Sequence, residues 1–128
     1  MSALLALVLQ AAAPAPAPAP PADWTNLPEL PLPLPRGAFD PSAYVRGEVA
    51  AGRCRAAAGA DGSAQVAATL AVLIDAAGAV ARIVPQAIGC PTVEQYTVGY
   101  VSTLARRSAA GGVRPGWHRY VVTYRWRG

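Results

Sequence analysis

The sequence of 128 residues contains no lysine, one histidine and two cysteines, and only 7% of its residues are aromatic. The absence of lysine excludes Schiff-base and amine chemistry. His118 is the only general base near neutral pH, and we interpret it as a packed or surface residue because no second histidine or nucleophile accompanies it. The sequence also lacks a phosphate-binding glycine loop, a metal-ligand cluster and a Ser/His/Asp order. We therefore expect no catalytic residue, no cofactor and no metal, and predict that the protein is not an enzyme.

The sequence has no apolar run long enough to cross a bilayer. As a helix, residues 3–13 would rise about 16 Å, roughly half of the hydrocarbon core. Its apolar residues between 4 and 9 are followed by alanines at 11, 12 and 13, which is typical of a secretory signal peptide. A misassigned start codon or an uncleaved apolar tail is the alternative. We predict a periplasmic or secreted protein that is not an integral membrane protein.

Proline is concentrated in one stretch, because nine of the thirteen prolines fall between residues 14 and 35. Such a sequence adopts polyproline II rather than a helix or a central strand. The chain is therefore divided into a signal-like apolar segment with an Ala/Pro repeat (1–22), an extended Pro/Leu-rich segment (23–38), called the arm below, and an α+β domain (39–128). The apolar core is expected within residues 39–126.

The arm is more apolar than a spacer requires. We expect part of it to pack back on the domain or to be bound by a partner. The residues concerned are Trp24, Leu27, Leu30, Leu32 and Leu34.

Cys54 and Cys90 are an even pair with neither C-x-x-C spacing nor a neighbouring histidine, which favours a disulfide. Closing a loop of about 37 residues stabilises a chain by roughly 4 kcal/mol in the chain-entropy model. Two alternatives remain open: two buried free thiols, or a redox-reactive Cys54 whose pKa is depressed by Arg53 and Arg55.

The first predicted element of the domain is a short helix. Asp40 followed by Pro41 predicts its start, and it is expected to run to about residue 51. Tyr44 and Val45 are expected on its inward side.

Two strands are predicted next. Alternation predicts a strand over 64–75, a hairpin loop over 75–78 and a return strand over 80–84. The more apolar face of the first strand is expected to be buried. That face consists of Val66, Ala68, Leu70, Val72 and Ile74.

A main helix and a closing strand complete the domain. Thr92 and Gln95 fit a capping box at the start of the helix, which ends before the glycines at 111 and 112. Residues 117–126 then alternate again. The predicted fold class is α+β, with a small antiparallel three-stranded sheet packed on one main helix and an extra short N-terminal helix.

The Ile-Asp-x-x-Gly-x-Val hairpin at 74–80, the helix ending in arginines and the aromatic closing strand resemble the C-terminal domain of TonB-type energy transducers. The resemblance covers about residues 64–126, and the proline-rich spacer is also similar to that family's layout. It implies a ββαβ fold, a periplasmic location and a protein or peptide partner, such as a segment of an outer-membrane receptor, that pairs with the sheet edge. The chain lacks the family's Tyr-Pro motif and membrane anchor, so we expect a binding domain accessory to TonB-dependent envelope transport.

On that resemblance the last strand is the candidate pairing strand. Its residues are Trp117, Arg119, Tyr120, Val121, Val122, Thr123, Tyr124, Arg125 and Trp126. A proline at Val122 is expected to abolish partner binding if the N–H group of that residue faces the edge, and Val121 is the other position to test.

Beyond Thr103 the chain contains six arginines and no acidic residue. The alternative function is therefore a structural or envelope-associated protein that binds anionic surfaces through its Arg-rich C-terminal face, with peripheral membrane contact. The arginines could instead form a solvated strand face that protects an exposed sheet edge from aggregation. No nucleic-acid partner is expected, because an exported protein would meet little nucleic acid.

Overall fold

The structure, a computed structural model, describes residues 18–33, 40–107 and 112–127. The signal-like residues 1–17 lie outside the described residues. The elements in chain order are α1 (Ser42–Ala50), β1 (Ala57–Ala58), β2 (Ser63–Ile74), β3 (Val80–Pro85), α2 (Pro91–Arg107) and β4 (Gly116–Arg127). They form an α+β fold with an antiparallel sheet, which confirms the predicted class. In the described part of the chain, no helix is long and apolar enough to cross a membrane.

The sheet is built around β2. Strand β4 pairs with it along its whole length, from Ser63 opposite Arg127 to Ile74 opposite Gly116. The other flank of β2 is shared by β1 at one end and β3 at the other. Strand β4 therefore has one edge on β2 and one outer edge.

The expected strand count was wrong, because the described ranges already form a sheet of four strands rather than three. The additional strand, β1, is only two alanines long and carries no strand signal of its own. The turn after it closes when Gly59 N–H donates to the Ser63 carbonyl at 2.7 Å. This turn holds the two alanines against Ala64 and Gln65.

The hairpin between β2 and β3 follows the prediction. The five residues expected on the inner face of β2 are all buried, with exposed fractions of 6% or less. Asp75 Oδ1 accepts hydrogen bonds from the N–H groups of Ala77 and Ala79, each at 2.9 Å. Gly78 has a φ of 82°, which glycine adopts without steric cost. These contacts fix the loop that returns the chain as β3.

Helix α1 begins at Ser42, one residue after the predicted Pro41. Asp40 Oδ1 accepts a hydrogen bond from Ser42 N–H at 2.9 Å. Val45 is fully buried, as expected. Tyr44 is 41% exposed, so its expected inward position was wrong. Its ring stacks on that of Tyr96 with centroids 4.4 Å apart and covers Tyr96 from outside.

The predicted capping box of α2 was also wrong. Pro91 is the first helical residue, so the helix begins earlier than Thr92. Glu94 Oε2 accepts a hydrogen bond from Cys90 N–H at 3.1 Å and thereby satisfies the helix start. Thr92 Oγ1 instead donates to Glu48 Oε2 at 2.8 Å.

A disulfide joins Cys54 to Cys90, with Cα atoms 5.3 Å apart. This confirms the predicted pairing and excludes the two free thiols. The bond links the loop after α1 to the start of α2, so the two helices are held on the same side of the sheet.

The core lies between the inner face of the sheet and the two helices. Tyr124 is fully buried there, and its hydroxyl lies 2.7 Å from Thr97 Oγ1. Burial raises the pKa of Tyr124 to about 12. The core extends beyond the predicted residues 39–126, because Leu30 and Leu32 of the arm are buried in the same cluster.

Candidate functional site

The predicted pairing strand lies within β4, and its side chains divide between two faces. Tyr120, Val122 and Tyr124 are buried against the helices together with His118. The side chains on the opposite face are half-buried or exposed. These are Trp117, Arg119, Val121, Thr123 and Arg125. The nine predicted site residues therefore do not form one surface.

The backbone of β4 divides in the same way. Arg119 N–H donates to the Pro28 carbonyl at 2.8 Å, and the Arg119 carbonyl accepts from Leu30 N–H at 2.9 Å. Both backbone groups of Arg119 thus point to the outer edge. In an antiparallel strand this direction alternates from residue to residue, and the register of β4 on β2 is unbroken. The backbone groups of Val121 therefore point outward, while those of Val122 point to β2.

This alternation decides which predicted residues can pair with a partner. Outward-facing backbone groups belong to Trp117, Arg119, Val121, Thr123 and Arg125. The backbone groups of the alternate residues bond to β2. These residues are Tyr120, Val122, Tyr124 and Trp126. A proline at Val122 would thus break the sheet itself, and Val121 is the position that tests the edge.

The arm occupies the outer edge at one point. Glu29 forms a parallel β-bridge with Arg119. The same pair forms an ion pair, with Glu29 Oε1 lying 2.8 Å from Arg119 Nη2 and 3.1 Å from Nε. Backbone and side chains therefore fix the arm at the same residue of β4.

Two leucines anchor the arm beyond this bridge. Leu30 and Leu32 are 6% and 8% exposed and belong to the apolar core. Tyr120 Oη donates a hydrogen bond to the Leu32 carbonyl at 2.8 Å. The arm thus passes around the edge of β4 and places both leucines on the helix side of the sheet.

The pairing of the arm with β4 is short for two reasons. Pro28 has no N–H to donate to the edge. Leu32 N–H donates to the Leu30 carbonyl at 2.9 Å, so a tight turn takes both groups away from β4. Among the described residues, the arm pairs with Arg119 alone. We call residues 117–120 of β4 the covered part of the edge.

The rest of the edge, residues 121–127, is called the open part. Among the residues that the structure describes, no backbone group pairs with the outward N–H and C=O groups of Val121, Thr123 or Arg125. Val121 is 40% exposed, which is unusual for a large apolar residue here. The open part is a row of backbone donors and acceptors of the kind that pairs with another strand.

Residues 22–25, which precede the bridge at Glu29, lie over the outer face of the sheet. Trp24 Nε1 donates to the Pro21 carbonyl at 2.8 Å. Between this turn and the sheet lies an open cleft of about 460 Å³. Its lining includes Asp23, Trp24, Thr69, Gln86 and Arg119. In the described ranges no group of three potential ligands could hold a metal ion.

A second polar cluster lies beside the disulfide. Glu48, 7% exposed, accepts hydrogen bonds from Arg53 Nε at 2.7 Å and from Thr92 Oγ1 at 2.8 Å. These bonds, that from Arg53 first, hold the pKa of the Glu48 carboxyl below its usual value. The cluster ties α1 to α2, and its hydrogen bonds are internal, which indicates a structural role.

Glu29, Leu30 and Leu32 were not among the site residues predicted from the sequence. A signal was available in the unusual apolarity of the arm, but it left open where the arm would go. The run of arginines beyond Thr103 gave no sign that two of them have partners. Arg119 pairs with Glu29, and Arg125 Nη2 donates to Gln65 Oε1 at 3.0 Å.

The chain matches no protein-family model, no curated protein and no solved structure. The resemblance to the TonB C-terminal domain therefore stays a prediction from the sequence pattern. A function is therefore inferred from the outer edge of β4 and its contacts with the arm.

Proposed function

We propose that this protein is a non-enzymatic binding domain that pairs an extended segment of a protein partner with the outer edge of β4. The observation that carries the proposal is the contrast along this edge. Arg119 already pairs with an extended segment, and the open part presents further backbone groups in the same register. In strand addition of this kind, main-chain hydrogen bonds supply affinity and side-chain contacts supply specificity.

The form of the open part supports this use. It contains neither a proline nor a register shift, two of the features that keep an edge strand from pairing. Its outward residues Val121 and Thr123 are β-branched and therefore suit an extended, paired backbone. A partner segment can lie along them without any change in β4.

The compartment and the family are part of the same proposal. A disulfide is typical of proteins in oxidising compartments, so Cys54–Cys90 agrees with export to the periplasm. The order β2, β3, α2, β4 agrees with the ββαβ order expected for a TonB C-terminal-like domain. We therefore propose an accessory role in TonB-dependent envelope transport, with a receptor segment as the partner.

The proposal is tested with decapeptides selected from a random phage-displayed library on the full-length protein. Val121→Pro removes one outward N–H group and is expected to weaken the selected peptides about tenfold, which corresponds to roughly 1.4 kcal/mol. Val121→Thr keeps that N–H group and should change the dissociation constant less than about twofold. The proposal fails if no peptide is enriched, or if the proline variant, still folded, binds them as well as the wild type.

The alternative function, binding of anionic surfaces through the Arg-rich face, has less support. Of the six arginines beyond Thr103, Arg119 is engaged by Glu29 and Arg125 by Gln65. The salt dependence of binding to vesicles that contain anionic lipid, compared with that of peptide binding, distinguishes the two functions. Surface binding through arginines should be released as salt rises from low to physiological concentration, whereas strand addition should depend little on salt.

A further inference from the structure

We propose that the covered part of the edge recognises an acidic residue followed by leucines one and three positions later, and that the arm occupies this site as an internal competitor. The inference rests on the proposed function, since it names the partner segment that pairs with β4. The pattern is read from the arm itself, where it is formed by Glu29, Leu30 and Leu32.

Each position of the pattern meets a distinct feature of the domain. Arg119 holds the carboxylate of Glu29 through Nη2 and Nε at 2.8 and 3.1 Å. Leu30 and Leu32 are buried in the apolar core, and Tyr120 Oη donates to the carbonyl of Leu32. A charged side chain, an apolar site and a buried hydroxyl therefore act on one short segment, which is how a peptide site acquires specificity.

The arm is a poor pairing segment despite these side-chain contacts. Its described residues, 23–33, make two backbone hydrogen bonds to β4, because Pro28 cannot donate and the turn at Leu30 and Leu32 ends their pairing. A partner with the same side chains but without these two features can bond to Arg119 and continue along the open part. Such a segment gains backbone bonds that residues 23–33 do not make.

Competition by the arm is strong because the arm is covalently attached. A tethered segment acts at an effective concentration on the order of millimolar. Weakening the arm should therefore raise the affinity of a free peptide by increasing the fraction of sites that are vacant. Leu30→Ser is suited to this purpose because it removes one buried side chain of the arm and leaves β4 unchanged.

The probe is a fluorescent peptide with the sequence of residues 26–33 in which threonine replaces the three prolines. The control peptide also carries lysine at the position of Glu29. We expect Leu30→Ser to bind the acidic peptide about tenfold more tightly than the wild type. Arg119→Glu is expected to prefer the lysine peptide about fivefold, the reverse of the wild type.

Each contrary result has its own meaning. Absence of binding by the wild type and Leu30→Ser up to about 1 mM, or equal affinity for the two peptides, overturns the inference. If library peptides still bind in a manner that depends on Val121, the proposed function survives; if they do not, it fails as well. Should Leu30→Ser not fold, the charge reversal at Arg119 decides, because that variant keeps both leucines. A wild-type dimer in light scattering that Leu30→Ser converts to a monomer would overturn the inference of a foreign partner, because the arm of a second copy would then occupy the site.

Discussion

The covered and open parts of the β4 edge belong to one strand in one register, yet they have different neighbours. In the covered part, Arg119 bonds to the arm through its backbone and its side chain. In the open part, the described residues offer Val121, Thr123 and Arg125 no backbone partner. The strand geometry is the same in both parts, so the difference comes from the arm.

One edge of this sheet is thus partly protected and partly available. In the described part of the arm, pairing ends after the bonds to Arg119, because Leu32 N–H donates to the Leu30 carbonyl instead of to β4. Those leucines also fill the rim of the core. The same few residues thus stabilise the domain and limit how far its edge is covered.

The largest expected effect comes from placing a charge under the arm. Leu30→Asp buries a carboxylate in the apolar core and should lower the free energy of unfolding by about 3 kcal/mol or more. Val121→Asp, in the open part, should lower it by less than about 1 kcal/mol. Urea denaturation of both variants measures the difference, and equal losses would remove the distinction between the two parts.

A smaller effect is expected when the hydroxyl that holds the arm is removed. Tyr120→Phe loses the bond to the Leu32 carbonyl and should cost about 1 kcal/mol. It should also speed amide exchange at Leu30. Tyr124→Phe is the matched control, because its hydroxyl contacts Thr97 and not the arm. If the control speeds exchange at Leu30 equally, the bond to Leu32 does not hold the arm.

The Glu48 cluster lies apart from this edge and should affect both parts alike. Because hydrogen bonds from Arg53 and Thr92 lower the pKa of Glu48, its contribution is complete above the unfolded value of about 4.3 and is lost as pH falls through the folded value. The urea midpoint of the wild type should therefore exceed that of Glu48→Gln at pH 7, and the two should converge in acid. A difference that grows in acid would contradict this assignment.

The smallest effect is expected at the ion pair of the arm. Glu29 and Arg119 have side chains 62% and 33% exposed, so water screens their attraction. Glu29→Gln should change the free energy of unfolding by no more than about 0.5 kcal/mol. Arg125→Gln, in the open part, is the control, because it also replaces one charged side chain by glutamine. A loss above 1 kcal/mol at Glu29 alone would mean that the charge, rather than the leucines, anchors the arm.

Much of the fold was predictable because it follows local patterns. The alternation in β2 and β4 and the Asp75 loop each depend on residues close in sequence. Strand β1 was not predictable, because two alanines become a strand only through the turn that follows them. The capping box failed because Pro91 fixed the helix start one residue before Thr92.

The site was predictable only in outline. The sequence indicated the last strand and the unusual apolarity of the arm, but it could not bring Glu29 to Arg119, which lies 90 residues away. Nor could it decide whether Val121 or Val122 faces outward, because alternation gives two sets without assigning either one to the edge. The bonds between Arg119 and the arm make that assignment.

Amide hydrogen exchange of the full-length protein tests the central claim most directly. The outward amides of Val121, Thr123 and Arg125 should exchange quickly, while those of Tyr120 and Val122, bonded to β2, should exchange slowly. The amides of Arg119 and Leu30 should also be protected. The first bonds to the Pro28 carbonyl and the second to the Arg119 carbonyl. Fast exchange at Arg119 and Leu30, or protection of all three outward amides of the open part, would contradict the account.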